Sequence, residues 1–294
     1  MKKVKDYRIR RASDLVQFSI NEQEVFMDNQ LKIAVLIDAE NISKKYVKLI
    51  MDEASAHGVV TYKRVYGDFT TPSVISWQNS LKDHAITPIF QFSYTQGKNA
   101  SDSALIIDAM DILYSGKVNG FCLVTSDSDF TKLAIRLRES GMLVIGMGEK
   151  KTPNSLVSAC ETFKYLDLLY QEELREDQEE GKTQKKHTVK DTESLQNNTT
   201  ELTDGAESVS NIPSETEIVS EIKSIIDTIS DNDEWIYLSA VGDAIQKRVP
   251  GFDPRHYKCR ELRDFVKKFD CFELKQVRDK HSELINVIYI KNKD

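Results

Sequence analysis

The sequence predicts an α/β protein: a mostly parallel sheet flanked by helices, followed by a small winged helix-turn-helix domain. Three observations carry that reading. Short apolar runs alternate with helical stretches from residue 31 to about residue 172, the pattern of repeated β-α units. An acidic stretch without aromatic residues interrupts the pattern at about 175–214. Beyond it the chain turns to amphipathic helices closed by a hairpin. The expected division is an N-terminal extension over 1–30, an α/β domain over 31–172, a flexible acidic linker over 173–214 and a compact module over 215–294.

The first element, Lys32–Asp38 (KIAVLID), is a continuous apolar run, as expected of a strand covered on both faces. A helix follows through about His57, then a strand at Val59–Tyr66, a helix near Pro72–His84 and a strand at Ile86–Phe92. Next come a helix at Asp102–Tyr114, a strand at Gly120–Thr125, and a helix from about Asp129 that Gly141 ends. Met142–Met147 is the fifth strand, and a short helix from Pro153 with a last amphipathic piece closes the domain. The linker, rich in Glu, Gln, Ser, Thr and Asn, has too few large apolar residues to offset the entropy of ordering it. In the module, Ile218, Ile222, Ile225, Ile226 and Ile229 share one helical face. Helices at Leu238–Val249 and Lys258–Lys268, and a hairpin of Phe272–Lys275 with Asn286–Ile290, complete a winged helix-turn-helix. The apolar residues Val16, Phe18, Ile20 and Phe26 of the extension assign it no role.

The net charge of −7 argues, taken whole, against a nucleic-acid partner. Partitioned, it is +1 over 1–30, −1 over 31–172, −5 over the linker and −2 over the module. Between Lys247 and Lys280, 11 Lys and Arg stand against 6 acidic residues, so the module carries a local basic patch. No apolar run of about 18 residues exists, which excludes a transmembrane helix. The basic N-terminus lacks the apolar segment of a secretory signal. Cys122, Cys160, Cys259 and Cys271 lie far apart with no CxxC pair, which argues against a disulfide scaffold or structural zinc and for a reducing, cytoplasmic setting.

The chemistry lies in the carboxylates. Asp38 ends the first strand, Asp127 and Asp129 follow the fourth, and Asp102 opens the helix whose first turn faces the same rim. Open parallel sheets gather function at the carboxyl ends of their strands. Four carboxylates packed there repel one another unless cations intervene, and hard oxygen donors suit Mg²⁺ or Mn²⁺ rather than zinc. Simpler roles compete: Asp129 is placed to cap its helix, as are Asp102 and its neighbour Ser101. Asp108 lies six residues beyond Asp102, about 600° around the helix, so a structural role is expected for it. Lys98 is the candidate for neutralising a phosphate, against the plainer reading of a solvated loop lysine. Asp68 is peripheral on the same rim, and His57 and His84 end helices.

LIDAEN (36–41), the K-N-x-S-D start of a helix (98–102) continued as ALIIDAMD, and VTSDSDF (124–130) resemble the NYN family of PIN-like ribonucleases in order and spacing. The resemblance covers roughly residues 31–170 and implies a PIN-like Rossmannoid fold with Mg²⁺- or Mn²⁺-dependent hydrolysis of RNA. It matches Asp38, Asp102, Asp127 and Asp129 to the family's catalytic, metal-holding acids, with none missing. It also matches Asn41 to a residue orienting Asp38 or a metal water, and Ser126 to a small polar residue beside the site.

The stretch YLSAVGDAIQKRVPGFDPRHYKCRELRDFVKKFDCFEL resembles an OST-HTH, or LOTUS, domain, which implies RNA binding or the docking of a protein partner. One departure is Lys258, where the family has Gly after the Tyr. Lys247, Arg248, Arg255, Lys258, Arg260, Arg263, Lys267 and Lys268 are the candidate RNA contacts, with Tyr257 and His256 for stacking; an ordinary solvated helix surface is the alternative. The leading expectation is thus a metal-dependent endoribonuclease with a tethered RNA-binding module. A non-cleaving RNA- or protein-binding adaptor with the same fold is the alternative. A phosphatase of the DxDx[TV] type is disfavoured, because the first strand ends in DAEN, with Glu40 where the second Asp belongs.

Overall fold

The computed structural model describes residues 30–91, 100–185, 212–230, 235–278 and 286–293. Lys98, all but the last residue of the expected extension, and most of the expected linker lie outside them. Six strands form one parallel sheet in the order β3-β2-β1-β4-β5-β6. They are β1 (Lys32–Asp38), β2 (Val59–Gly67), β3 (Thr87–Phe90), β4 (Gly120–Val124), β5 (Leu143–Gly148) and β6 (Thr162–Tyr165). This is a doubly wound sheet: the chain runs outward from β1 in one direction, then returns to β4 and runs outward in the other.

The continuous apolar character of β1 follows from having helices on both faces. Ile33, Val35 and Ile37 pack with Val47, Ile50 and Ala54 of α1 (Val47–His57). Ala34 and Leu36 face Leu105 and Ala109 of the helix Ala100–Tyr114, and Leu133 and Leu137 of Thr131–Glu139. Between β2 and β3 the single expected helix is two, α2 (Pro72–Ile75) and α3 (Gln78–Asp83), broken where Trp77 turns fully into the core. The following helices are α4 (Ala100–Tyr114), α5 (Thr131–Glu139), α6 (Asn154–Ala159) and α7 (Leu166–Lys185).

Two further features of this domain depart from the sequence reading. The sixth strand, β6, was not expected; its TFKY is four residues long, with only Phe163 and Tyr165 buried, too short to register as a periodic run. The helix α7 carries the chain to Lys185, so the first part of the stretch expected to be a flexible linker from 173 is helical.

The C-terminal module has its own core. It opens with α8 (Glu215–Ile229), which starts at a capping box of Ser214 and Glu217. Ile218, Ile222, Ile225 and Ile226 of α8 are buried, whereas Ile229, expected on the same face, is exposed at the helix end. They pack with Val241 and Ile245 of α9 (Leu238–Arg248), Phe265 of α10 (Leu262–Val266) and Ile290 of β9 (Asn286–Asn292). The wing is an antiparallel pair of β8 (Phe272–Arg278) and β9, with β7 (Ile236–Tyr237) on the other side of β9. The expected helix over Lys258–Lys268 is shorter, because a 3-10 turn at Pro254–Tyr257 ends in Lys258 at φ 58° and ψ 36°. That left-handed geometry is where a residue without a Cβ is at ease, which accounts for glycine in the family pattern at this point. Replacement Lys258→Gly should therefore raise the unfolding free energy by up to about 1 kcal/mol in urea titration, the relieved backbone strain being partly offset by glycine's greater freedom in the unfolded chain.

Candidate active site

The strand order reverses between β1 and β4, and a crevice opens there at the carboxyl ends of the strands. Asp38 is the last residue of β1 and is only 1 % exposed. Its Oδ1 accepts hydrogen bonds from the backbone N–H of Glu40 (3.0 Å) and of Asn41 (3.2 Å). Its Oδ2 accepts from Asn41 Nδ2 (2.8 Å) and from Thr125 Oγ1 (2.9 Å). Burial pushes the Asp38 carboxyl up; these four bonds pull it back only in part.

Thr125 follows β4 and ties that strand's exit to β1, its hydroxyl also accepting from the N–H of Asp127 (3.1 Å). Asp127 in turn accepts from the N–H of Asp129 (2.9 Å) and caps the short turn Ser128–Phe130. The capping role expected of Asp129 therefore falls to Asp127, while Asp129 is exposed at the rim. Ser126 Oγ accepts from the N–H of Glu149 (2.9 Å), which joins the ends of β4 and β5. Asn41 and Ser126 thus act through hydrogen bonds on the frame of the site.

Asp102, in the first turn of α4, is pushed up to about 6, first by partial burial and then by Asp38, Asp127, Glu40 and Asp129 in that order. Of the four carboxylates singled out in the sequence, the other three thus act on Asp102 across a single rim. Glu40 belongs with them and sequence reasoning missed it, as it missed Thr125; they sit inside LIDAEN and VTSDSDF, two residues from Asp38 and Asp127 respectively. Glu40 Oε1 also accepts from the N–H of Asp68 (3.0 Å), so Asp68 lies beside the rim. Asp108 is engaged elsewhere, ion-paired with Arg64 and accepting from the Tyr66 hydroxyl. Lys98 lies outside the described residues.

The donors are carboxylate oxygens, and the repulsion that the others exert on Asp102 is the kind that a hard divalent cation relieves, so the residues present suit Mg²⁺ or Mn²⁺. Among the described residues no three His, Cys, Asp or Glu side chains are gathered tightly enough to form a ready-made cage. The acids are spread around the rim, with Asp38 buried and the others more open to solvent.

Residues 32–167 match the NYN domain family, and residues 215–283 match the OST-HTH/LOTUS domain family. The chain joins an NYN domain to an OST-HTH/LOTUS domain. No curated protein matches it. A solved structure of a protein of unknown function from Vibrio parahaemolyticus is 20 % identical over 46 % of this chain and 93 % of its own, with a TM-score of 0.40. An uncharacterised protein from Nitrosomonas europaea, also 20 % identical, covers 34 % of this chain and 92 % of its own at a TM-score of 0.24. A LacI-family transcriptional regulator from Brachyspira murdochii is 14 % identical over 54 % of this chain and 40 % of its own, at 0.25. Among the described residues, no helix is long and apolar enough to cross a membrane.

The OST-HTH domain sorts its basic residues into two groups. Lys247, Lys258, Arg260 and Lys267 are exposed, Arg263 is half-buried, and Arg248 is exposed but reaches Ser224 (3.1 Å) and Glu221 (3.5 Å) in α8. A 540 Å³ groove between α9, α10 and β9 is lined by Arg263, Gln246 and Ser239 among others. Three expected contacts do not lie on such a surface. Tyr257 is buried with its hydroxyl donating to the Pro213 carbonyl (2.7 Å), so its ring is not free to stack on a base. Arg255 is tied to Asp253 and Glu53, and His256 packs edge-on against Tyr165. The reason is that this PRHY turn faces the NYN domain, a neighbour that spacing along the chain does not reveal.

Two variants separate the framework from the charge. Thr125→Val leaves Asp38 Oδ2 one donor short in a buried place and should cost about 2 kcal/mol in urea unfolding. Asp102→Asn should act in the opposite direction, because it removes a repelled carboxylate. With its carboxyl at about 6 in the folded protein, against about 4 unfolded, the folded state holds the extra proton between those values. Stability in EDTA should accordingly fall as pH rises from about 4 to about 6 in the parent, and stay flatter in Asp102→Asn.

Proposed function

We propose that this protein is a divalent-metal-dependent endoribonuclease whose OST-HTH domain binds the RNA that the NYN domain cleaves. NYN domains are typically nucleases and OST-HTH domains bind RNA. The observation that carries the reading is the convergence of Asp38, Asp127, Asp129 and Glu40 on the Asp102 carboxyl at the switch point of a doubly wound sheet, where all four repel it. Such repulsion is a cost that folding alone gives no reason to keep. Asp38, Asp102, Asp127 and Asp129 would hold Mg²⁺ or Mn²⁺. Bound there, the ion would supply charge stabilisation at a phosphodiester and a water of lowered pKa.

The residues around the acids have separable duties. Asn41 and Thr125 hold Asp38 in one orientation, and Ser126 fixes the β4 exit against β5. Asp127 shapes the turn that presents Asp129 to solvent. The exposed Lys258, Arg260 and Lys267 of the module, with Arg263 beside its groove, neutralise phosphates and give binding that weakens as salt rises.

The test is cleavage of end-labelled single-stranded RNA with Mn²⁺ or Mg²⁺ against EDTA. Cleavage should need the ion, and Asp38→Asn or Asp127→Asn should lower it by about three orders of magnitude. Asp38→Asn should still fold: the Asn41 amide can turn over and the Thr125 hydroxyl rotate, so that both accept where they donated before. Cleavage that survives both variants overturns the assignment, and RNA binding without cleavage in either metal makes the protein an adaptor. Adding Mn²⁺ should also raise the unfolding temperature of the parent, and less so that of Asp102→Asn.

A further inference from the structure

The edge of the six-stranded sheet at β6 is not open. The N–H of Phe163 donates to the carbonyl of Pro250 in the OST-HTH domain (2.7 Å), so the module takes up a backbone donor of the last strand. Beside this bond, four charged side chains from three places meet. Lys164 of β6 donates to Asp253 Oδ2 (2.6 Å) and lies 3.9 Å from Glu53 of α1. Arg255 reaches Glu53 Oε1 (2.6 Å) with one arm, and Asp253 with its Nε (3.0 Å) and its other arm (2.8 Å). The side chains of Lys164, Glu53 and Asp253 are 12 %, 11 % and 5 % exposed.

Two cations and two anions balance, and the cluster holds the Asp253 carboxyl well below its ordinary range despite burial. Gly251 lies so close to the Tyr165 ring that an added Cβ would come within 3.2 Å of it, and His256 closes on the same ring. His256, buried, is pushed down to about 4 and stays neutral beside Lys164 and Arg255. With Arg255 35 % exposed, the set is largely buried; such ion pairs add little net stability, yet parting them leaves buried charges uncompensated, so lifting the module off is costly.

We propose that the OST-HTH domain is locked onto the NYN domain at β6 by the Glu53–Arg255–Asp253–Lys164 cluster, making one rigid body in which a single RNA crosses both the module's cations and the carboxylate rim at a set spacing. The substrate class is an RNA long enough to span both surfaces, cut at a defined distance from the segment the module grips. A free tether would raise the local RNA concentration but would leave that distance undefined. The locking stands on the contacts alone; the defined cut rests on the nuclease reading above.

Small-angle scattering of the full chain tests the lock. The parent should scatter as one compact particle, and Glu53→Arg, with Glu53→Gln as a milder change, should expand it without loss of far-UV circular dichroism. Scattering from two independent domains in the parent, or no expansion in a folded Glu53→Arg, overturns the lock. On a long end-labelled RNA the parent should cut within a narrow window from the module's footprint, whereas Glu53→Arg should spread the cuts about threefold more widely. Turnover of a short oligonucleotide that reaches only the rim should be the same for both.

An unchanged cut pattern in an expanded variant overturns the set spacing. If the parent cleaves nothing, the nuclease reading has failed, and hydroxyl-radical footprinting decides the rest. One continuous protected segment in the parent that shortens in Glu53→Arg supports the single body, and equal footprints overturn it.

Discussion

The architecture of the site follows from one constraint: Asp38 is a carboxylate out of reach of water, so the protein must hydrate it. Two backbone N–H groups do this at one oxygen, which obliges the chain after β1 to curl tightly through Glu40 and Asn41. Two side chains serve the other oxygen, and one of them, Thr125, comes from the end of β4. The β1–β4 pairing at the centre of the sheet and the placement of the second acidic segment are thus linked through one carboxyl group. Without the Thr125 bond, the turn bearing Asp127 and Asp129 would lose its anchor to the central strand.

The other acids pull against that order. Asp102 carries the strain, since α4 brings its first turn toward charges already held by β1 and the β4 turn. Burial and hydrogen bonding fix Asp38, whereas partial burial and then the repulsion of its acidic neighbours act on Asp102. The same rim therefore holds one group determined by its scaffold and another sensitive to whatever ions approach. That division suits a site that is built before its ligand arrives and completed by it.

Much of this was legible in the sequence. The apolar runs of β1, β4 and β5 become the central strands because both their faces are covered, and Asp38, Asp127 and Asp129 lie at strand ends because DAEN and TSDSD continue or follow those runs directly. Partners across the fold were not legible. Thr125 looks like any strand-end threonine until β1 is set beside it, and β6 is too short to show a period. The largest miss was electrostatic. The arginine in FDPRHY sits in a basic stretch and reads as a phosphate contact, but the carboxylate that claims it, Glu53, is 202 residues away in α1. Charge counted along the chain measures composition, and here it could not tell a surface cation from one committed to a buried pair.

The covered edge at β6 bears on how the two domains can be handled apart. A parallel sheet has two lateral edges, and here one of them is β6, whose Phe163 N–H is met by a carbonyl of the module. An NYN domain severed from the rest would present that donor, the buried ring of Tyr165 and the charges of Glu53 and Lys164 to solvent with their partners gone. An exposed strand edge flanked by an apolar ring is a template for pairing with another chain. In the whole chain the Pro250 carbonyl, Asp253 and Arg255 occupy that edge, and the template is covered.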